Sequence, residues 1–188
     1  MLKEVQEYKK HLGIVGFRNV HIRKIEQFLD SVNKEKLSDV EVQFFNAKFI
    51  ATWQHLYFAT LNALTAFHNK QNISNSVAME TMLYASAQHQ IRVATQMIGI
   101  EYDIHTISTL VIADSTAVVT RVLQAISKVL NAEPDDTVLE ITKEKGDAIK
   151  KMFKISRAEL QLARENDELE QALANIVIER MAMLATHH

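Results

Sequence analysis

"DVEVQFFNAKFIATWQHLYFATLNALTAFHNK", Asp39 to Lys70, changes its apolar period part-way along. Up to Ile50 it alternates and is rich in Val and Phe, which is the pattern of a strand. From Trp53 to near Lys70 the apolar residues crowd at helical spacing, and Thr52 stands where a helix N-cap belongs. A strand running into a long helix sets the fold class, and the flanking sequence extends it. Upstream, "KEVQEY" and "LGIVGF" around "KKH" read as an opening hairpin. "HIRKIEQFLDSV" then places Ile22, Ile25, Phe28, Leu29 and Val32 on one helical face.

Downstream, Ser76 is placed to cap "VAMETMLYASA", with Met79, Met82, Leu83 and Ser86 as its stripe. The period runs on through Ala87, Ile91, Ala94 and Ile98 to a stop at Gly99. "DIHTISTLVIA" is β-branched and strand-like, and Ser115 caps "TAVVTRVLQAISKVLN", turning Val119, Val122, Leu123, Ile126 and Leu130 inward. The acidic turn "AEPDD" leads into a helical C-terminal third, about residues 137–185. Strands near the start and once after Gly99, without βαβα alternation, predict an α+β fold. The expectation is one domain over residues 1–186, a small mixed or antiparallel sheet of about four strands layered with predominantly α-helices.

Hydrophobic content of 47% suffices for a core, and a formal charge of −2 with a pI near 6.4 gives no bulk pull toward nucleic acid. RNA, if bound, is bound at a local patch. The absence of cysteine removes disulfides, thiolate catalysis and cysteine-based zinc sites, and fits a reducing cytoplasm. No apolar run is long enough to span a bilayer, and "MLKEVQEYKK" is too charged for a signal peptide. Between Phe49 and Ile100 only Lys70, Glu80 and Arg92 are charged, so this region is interior or covered by a partner.

Catalytic motifs are missing. His55, His68 and His89 have no HExxH spacing, and there is no P-loop, GxGxxG or GxSxG sequence. No metal or cofactor is expected. Gly13 and Gly16 lie inside a strand, where glycine marks a bulge or a close contact. Two polar groups stand out instead. His55, Ala59, Asn62, Ala66 and Asn69 form a small-and-polar stripe on the long helix, suited to base edges or carbonyls, or equally to a close helix–helix contact. Gln88, His89, Gln90 and Arg92 form the second, where Ser86 can cap a new helix whose start takes phosphate oxygens while Arg92 adds a charged fork; an ordinary exposed face is the alternative.

"QHLYFATLNALTAF" and "NISNSVAMETMLYASAQHQIRVATQMIGI" resemble the small non-catalytic, tRNA-tethering subunit of the KEOPS complex. The family pattern of His-Leu, Asn-Ile, Glu, Ser-Gly-x-Arg-Gln-Ile and a closing Gly falls on His55-Leu56, Asn72-Ile73, Glu80, Ser86 to Ile91 and Gly99. "GFRNV", Gly16 to Val20, and "IERMAMLA", Ile178 to Ala185, continue the likeness more weakly. KEOPS makes threonylcarbamoyladenosine beside the anticodon of ANN-decoding tRNAs. The resemblance implies no catalysis in this chain. It also implies a grip on the complex's small atypical kinase and a hold on the CCA end of tRNA, with no membrane or DNA partner.

His55, Asn62, Gln88, His89, Gln90 and Arg92 are the expected RNA contacts, and Ile176, Arg180 and Met183 on the last helix the expected kinase contacts, unless that stripe is core. Ala87 replaces the family's glycine, which is expected to strengthen the helix by up to about a kilocalorie. His89 replaces its arginine, losing a permanent charge that Arg92 can restore. Two other readings stay open: a kinase regulator that does not touch RNA, and an enzyme using His55, His89 and Glu80 as acid and base, which needs the three to share one cleft.

Overall fold

The computed structural model of the chain describes residues 1–35, 39–164 and 168–185. Strands β1 (Leu2–Val5), β2 (Lys10–Arg18), β3 (Glu41–Asn46) and β4 (Thr106–Ala113) form one antiparallel sheet in the order β1-β2-β4-β3. The α+β architecture is the expected one, and the sheet is wholly antiparallel. Residues 165–167 and 186–188, including Asp167 at the expected start of the last helix, Thr186 at the expected domain end, and the terminal His187 and His188, lie outside the described residues.

The two central strands are apolar on both faces because helices cover both. Leu12, Ile14, Phe45, Leu110 and Ile112 pack toward α2 (Trp53–His68) and α3 (Val77–Ser86). Val15, Phe17, Phe44, Ile107 and Val111 pack on the opposite side, toward α1 (Ile25–Glu35) and α5 (Thr116–Leu130). Glycines in β2 permit the close layers. A Cβ at Gly13 would lie 2.5 Å from Val119 Cγ1, and one at Gly16 would strike Val138. Side-chain bulk at either position would push a neighbouring element off the sheet.

The strand expected to reach Ile50 stops at Asn46. There the Asn46 side chain accepts the Lys48 N–H at 3.2 Å and bends Ala47–Phe49 into a 3-10 turn. Competition of this kind from a short polar side chain is what ends the ladder. The C-terminal third folds as α6 (Lys143–Met152), α7 (Arg157–Ala163) and α8 (Leu169–Ala185), which enclose a third core of Ile149, Phe153, Leu160, Leu173, Ile176 and Val177 beside Ala51.

Candidate functional site

Helix α3 and its successor α4 (Ile91–Ile98) meet at a sharp corner where one continuous helical period was expected. Ala87 takes the left-handed conformation, φ 52° and ψ 44°. Its N–H bonds the Tyr84 carbonyl at 2.8 Å, and the Gln88 N–H bonds the Leu83 carbonyl at 3.0 Å. This is a Schellman end, which reverses the chain and frees the following residues from the first helix. Two expectations change. Ser86 does not cap a new helix; it is the last residue of α3, buried, and its hydroxyl donates back to the Met82 and Leu83 carbonyls. Ala87 strengthens no helix, because it lies past the end of one, in a conformation that glycine adopts without strain.

His55 lies beneath this corner. Its ring is fully buried; Nδ1 accepts the Ala51 N–H at 3.1 Å, and Nε2 faces the Ala85 carbonyl at 2.8 Å. Since an amide can only donate, Nδ1 is unprotonated, and the Nε2–H donates to Ala85. Burial holds the ring pKa down at about 4; the bond to Ala85 opposes this and the Lys145 charge adds to it. His55 is therefore a neutral structural clamp with no face open to RNA, against expectation. With it, the last carbonyls of α3 are all bonded: Leu83 and Tyr84 by backbone, Ala85 by His55 and Ser86 by the Gln88 amide. A buried helix end needs such partners.

Glu80, 1% exposed, is equally committed. Its carboxylate accepts the Ile73 N–H with both oxygens and the Ser74 N–H at 2.7 Å, fixing the turn before α3. An acid–base set of His55, Glu80 and His89 does not form: the first two are buried and saturated, and His89 is exposed. Among the described residues no group of three His, Asp or Glu side chains is placed to hold a metal. No helix among them is long and apolar enough to cross a membrane.

His89, Gln90 and Arg92 are exposed at the start of α4, and Gln88 is half-buried. Gln90 occupies the N-cap position, yet its side chain makes no capping bond. Asn62 is half-buried on α2. The corner borders a groove of about 830 Å³, lined on one side by Ser86, Ala87, Gln88, Val93 and Met97. The other side carries Met152, Phe153, Arg180 and Met183, so the groove joins part of each expected contact set.

The α8 stripe divides. Ile176, expected at an interface, is core at 6% exposure, whereas Met183 is 59% exposed. Arg180 bonds Glu159 at 2.8 Å and the Lys154 carbonyl. That partner was missed, although Ser156 and Glu159 have the spacing of a capping box, and the box forms.

A family model described as "Kinase binding protein CGI-121" matches residues 17–185. The chain belongs to the CGI-121 family. A relative named "Regulatory protein Cgi121", from Methanocaldococcus jannaschii, is 30% identical over 116 residues, covering 62% of this chain and 72% of the relative. The family match begins at Phe17 in β2 and reaches the end of α8, so it takes in the α3–α4 corner and both walls of the groove.

Proposed function

We propose that this chain is a non-catalytic adaptor of a KEOPS-type complex in the cytoplasm. In this reading it grips the complex's small atypical kinase and holds the CCA end of tRNA, while the distant anticodon loop reaches the transferase that makes threonylcarbamoyladenosine. Membership in a family described as kinase-binding supports the first role. The observation that carries the second is the corner itself: His89, Gln90 and Arg92 stand exposed at a helix start without a side-chain cap. Such a start takes a phosphate oxygen, Arg92 adds a permanent charge, and the amide and imidazole groups suit base edges. A single-stranded end held by stacking and base-edge bonds gains roughly 1–3 kcal/mol per stacked base, which lets a chain of pI near 6.4 bind RNA locally.

Binding of intact tRNA against tRNA lacking its CCA end tests this. The end-less form is expected to bind at least about tenfold more weakly, a loss of about 1.4 kcal/mol or more. Equal binding of the two forms removes the tethering role. A second reading, a kinase regulator without RNA contact, is favoured by the groove lining of Met97, Met152, Phe153 and Met183, which suits an apolar partner helix. Under it, Met183→Glu abolishes capture of the kinase and neither tRNA form binds.

A further inference from the structure

A pocket of about 280 Å³ opens between the end of β2, the turn after β3 and the start of α6, apart from the groove. Three cations line it, Arg18, Lys48 and Lys145, together with Thr106. Lys145 is the informative one. It is 8% exposed, and its Nζ donates a single bond, 2.6 Å, to the Val138 carbonyl. Among the described residues no carboxylate pairs with it. An ammonium has three donors and a full charge, and a protein interior tolerates that combination only with an anion at hand or with the proton gone. Burial pulls the Lys145 pKa down to about 7, with the Glu140 carboxylate opposing. Near neutral pH the amine is thus poised between its two states, and an arriving anion would fix the charged one.

The surrounding groups leave room for such an anion. Arg18, at the pocket wall, is held by Asp135 and Thr137. Lys48 lies over the Phe49 ring. From α2, His55 is neutral and does not compete. Two acids also line the pocket: Glu144 is held at the start of α6 by its own N–H and the Thr142 hydroxyl, and Glu140 acts on Lys145 without bonding it. With Asp135 paired to Arg18, three carboxylates balance the three cations, but none of them bonds the buried Lys145.

We propose that this pocket binds a small phosphate-sized oxyanion, with Lys145 as its buried donor and Arg18, Lys48 and Thr106 completing the set. The adaptor reading neither uses nor requires this site. The phosphate can come free or on a small phosphomonoester; an RNA backbone is the competing source. The test titrates the full chain with inorganic phosphate at pH 7, at constant ionic strength against chloride, and follows the Lys145 Cε resonance. A saturable shift with a raised lysine pKa is expected. Lys145→Met, which keeps the buried stem's volume, is expected to bind phosphate at least about tenfold more weakly. A Lys145 resonance that phosphate leaves unmoved overturns the proposal, as does equal phosphate binding by Lys145→Met. Where that variant fails to fold, the wild-type resonance alone decides. A shift produced by a short oligoribonucleotide and not by phosphate also overturns it, in favour of a backbone contact.

Discussion

Ala87→Gly is the most direct probe of the α3–α4 corner. Alanine at φ 52° and ψ 44° places its Cβ against the following carbonyl, a conformation costing an L-residue roughly 1–2 kcal/mol. Glycine relieves that strain but gains unfolded-state freedom worth roughly 0.5–1 kcal/mol. The difference of the central values predicts a gain of about 0.75 kcal/mol, or roughly 1.5–3 °C in Tm for a chain of this size. Both Schellman bonds use backbone groups only, so they survive the change. Calorimetry of the variant beside the parent measures the gain, and denaturant unfolding with an unchanged slope shows that stability has changed without a change in the surface exposed on unfolding. Gly99→Ala is the control. Gly99 has no positive φ, and a Cβ there would strike the Thr95 carbonyl, so this variant must lose stability. An Ala87→Gly protein that melts at or below the parent refutes the strain argument.

Other outcomes follow from the same geometry. His55→Ala leaves the Ala51 N–H and Ala85 carbonyl buried without their partner and is expected to cost about 3 kcal/mol in urea unfolding. With the His55 pKa at about 4 when folded and near 6.5 when unfolded, the unfolded chain binds more protons between those values. The His55 contribution to stability is therefore full above about pH 6.5 and declines by about 3 kcal/mol toward pH 4, a slope that His55→Gln should flatten. Glu80→Ala removes the acceptor of the Ile73 and Ser74 amides; roughly 2–4 kcal/mol should go, and hydrogen exchange at those two amides should quicken first. His89→Arg adds a permanent charge beside Arg92 and should tighten tRNA binding several-fold with a steeper salt dependence, read by filter binding across a salt series.

Much of the fold was legible because local signals agreed with tertiary demand. Ser76 and Ser115 both cap the helices that follow them, accepting from Met79 and Val118. Gly13 and Gly16 mark the close contacts that glycine inside a strand announces. Thr52 shows the limit: it occupies the N-cap position, but its buried hydroxyl has no hydrogen-bond partner. The α3–α4 break was hidden because, among the described residues, left-handed positions fall on Lys9, Asn19, Lys70, Ala87, Asp103, Asn131 and Lys154, and on no glycine. A helix end written with alanine gives periodicity nothing to stop at. His55 was misjudged for a different reason. Polar side chains are usually read as surface, and this one is buried between the Ala51 amide and the Ala85 carbonyl of the next helix. Of the expected site, the exposed run at the start of α4 was visible as composition, whereas the Arg180–Glu159 pair across the groove depends on how α7 meets α8.

The strand order has a consequence for how the chain is made. β4 lies between β2 and β3, yet it follows β3 by roughly 60 residues, which take about 3–12 s to synthesise. Until it emerges, β3 has no partner on the sheet, and the backbone of Phe44 and Phe45 has no ladder to join. Closing that loop is slow relative to forming α2 and α3, which are local. A ribosome stalled before Thr106 would therefore carry helices and the β1–β2 hairpin, with β3 unjoined to it and open strand edges on both. That nascent species, more than the finished protein, is the one that a holding chaperone would bind.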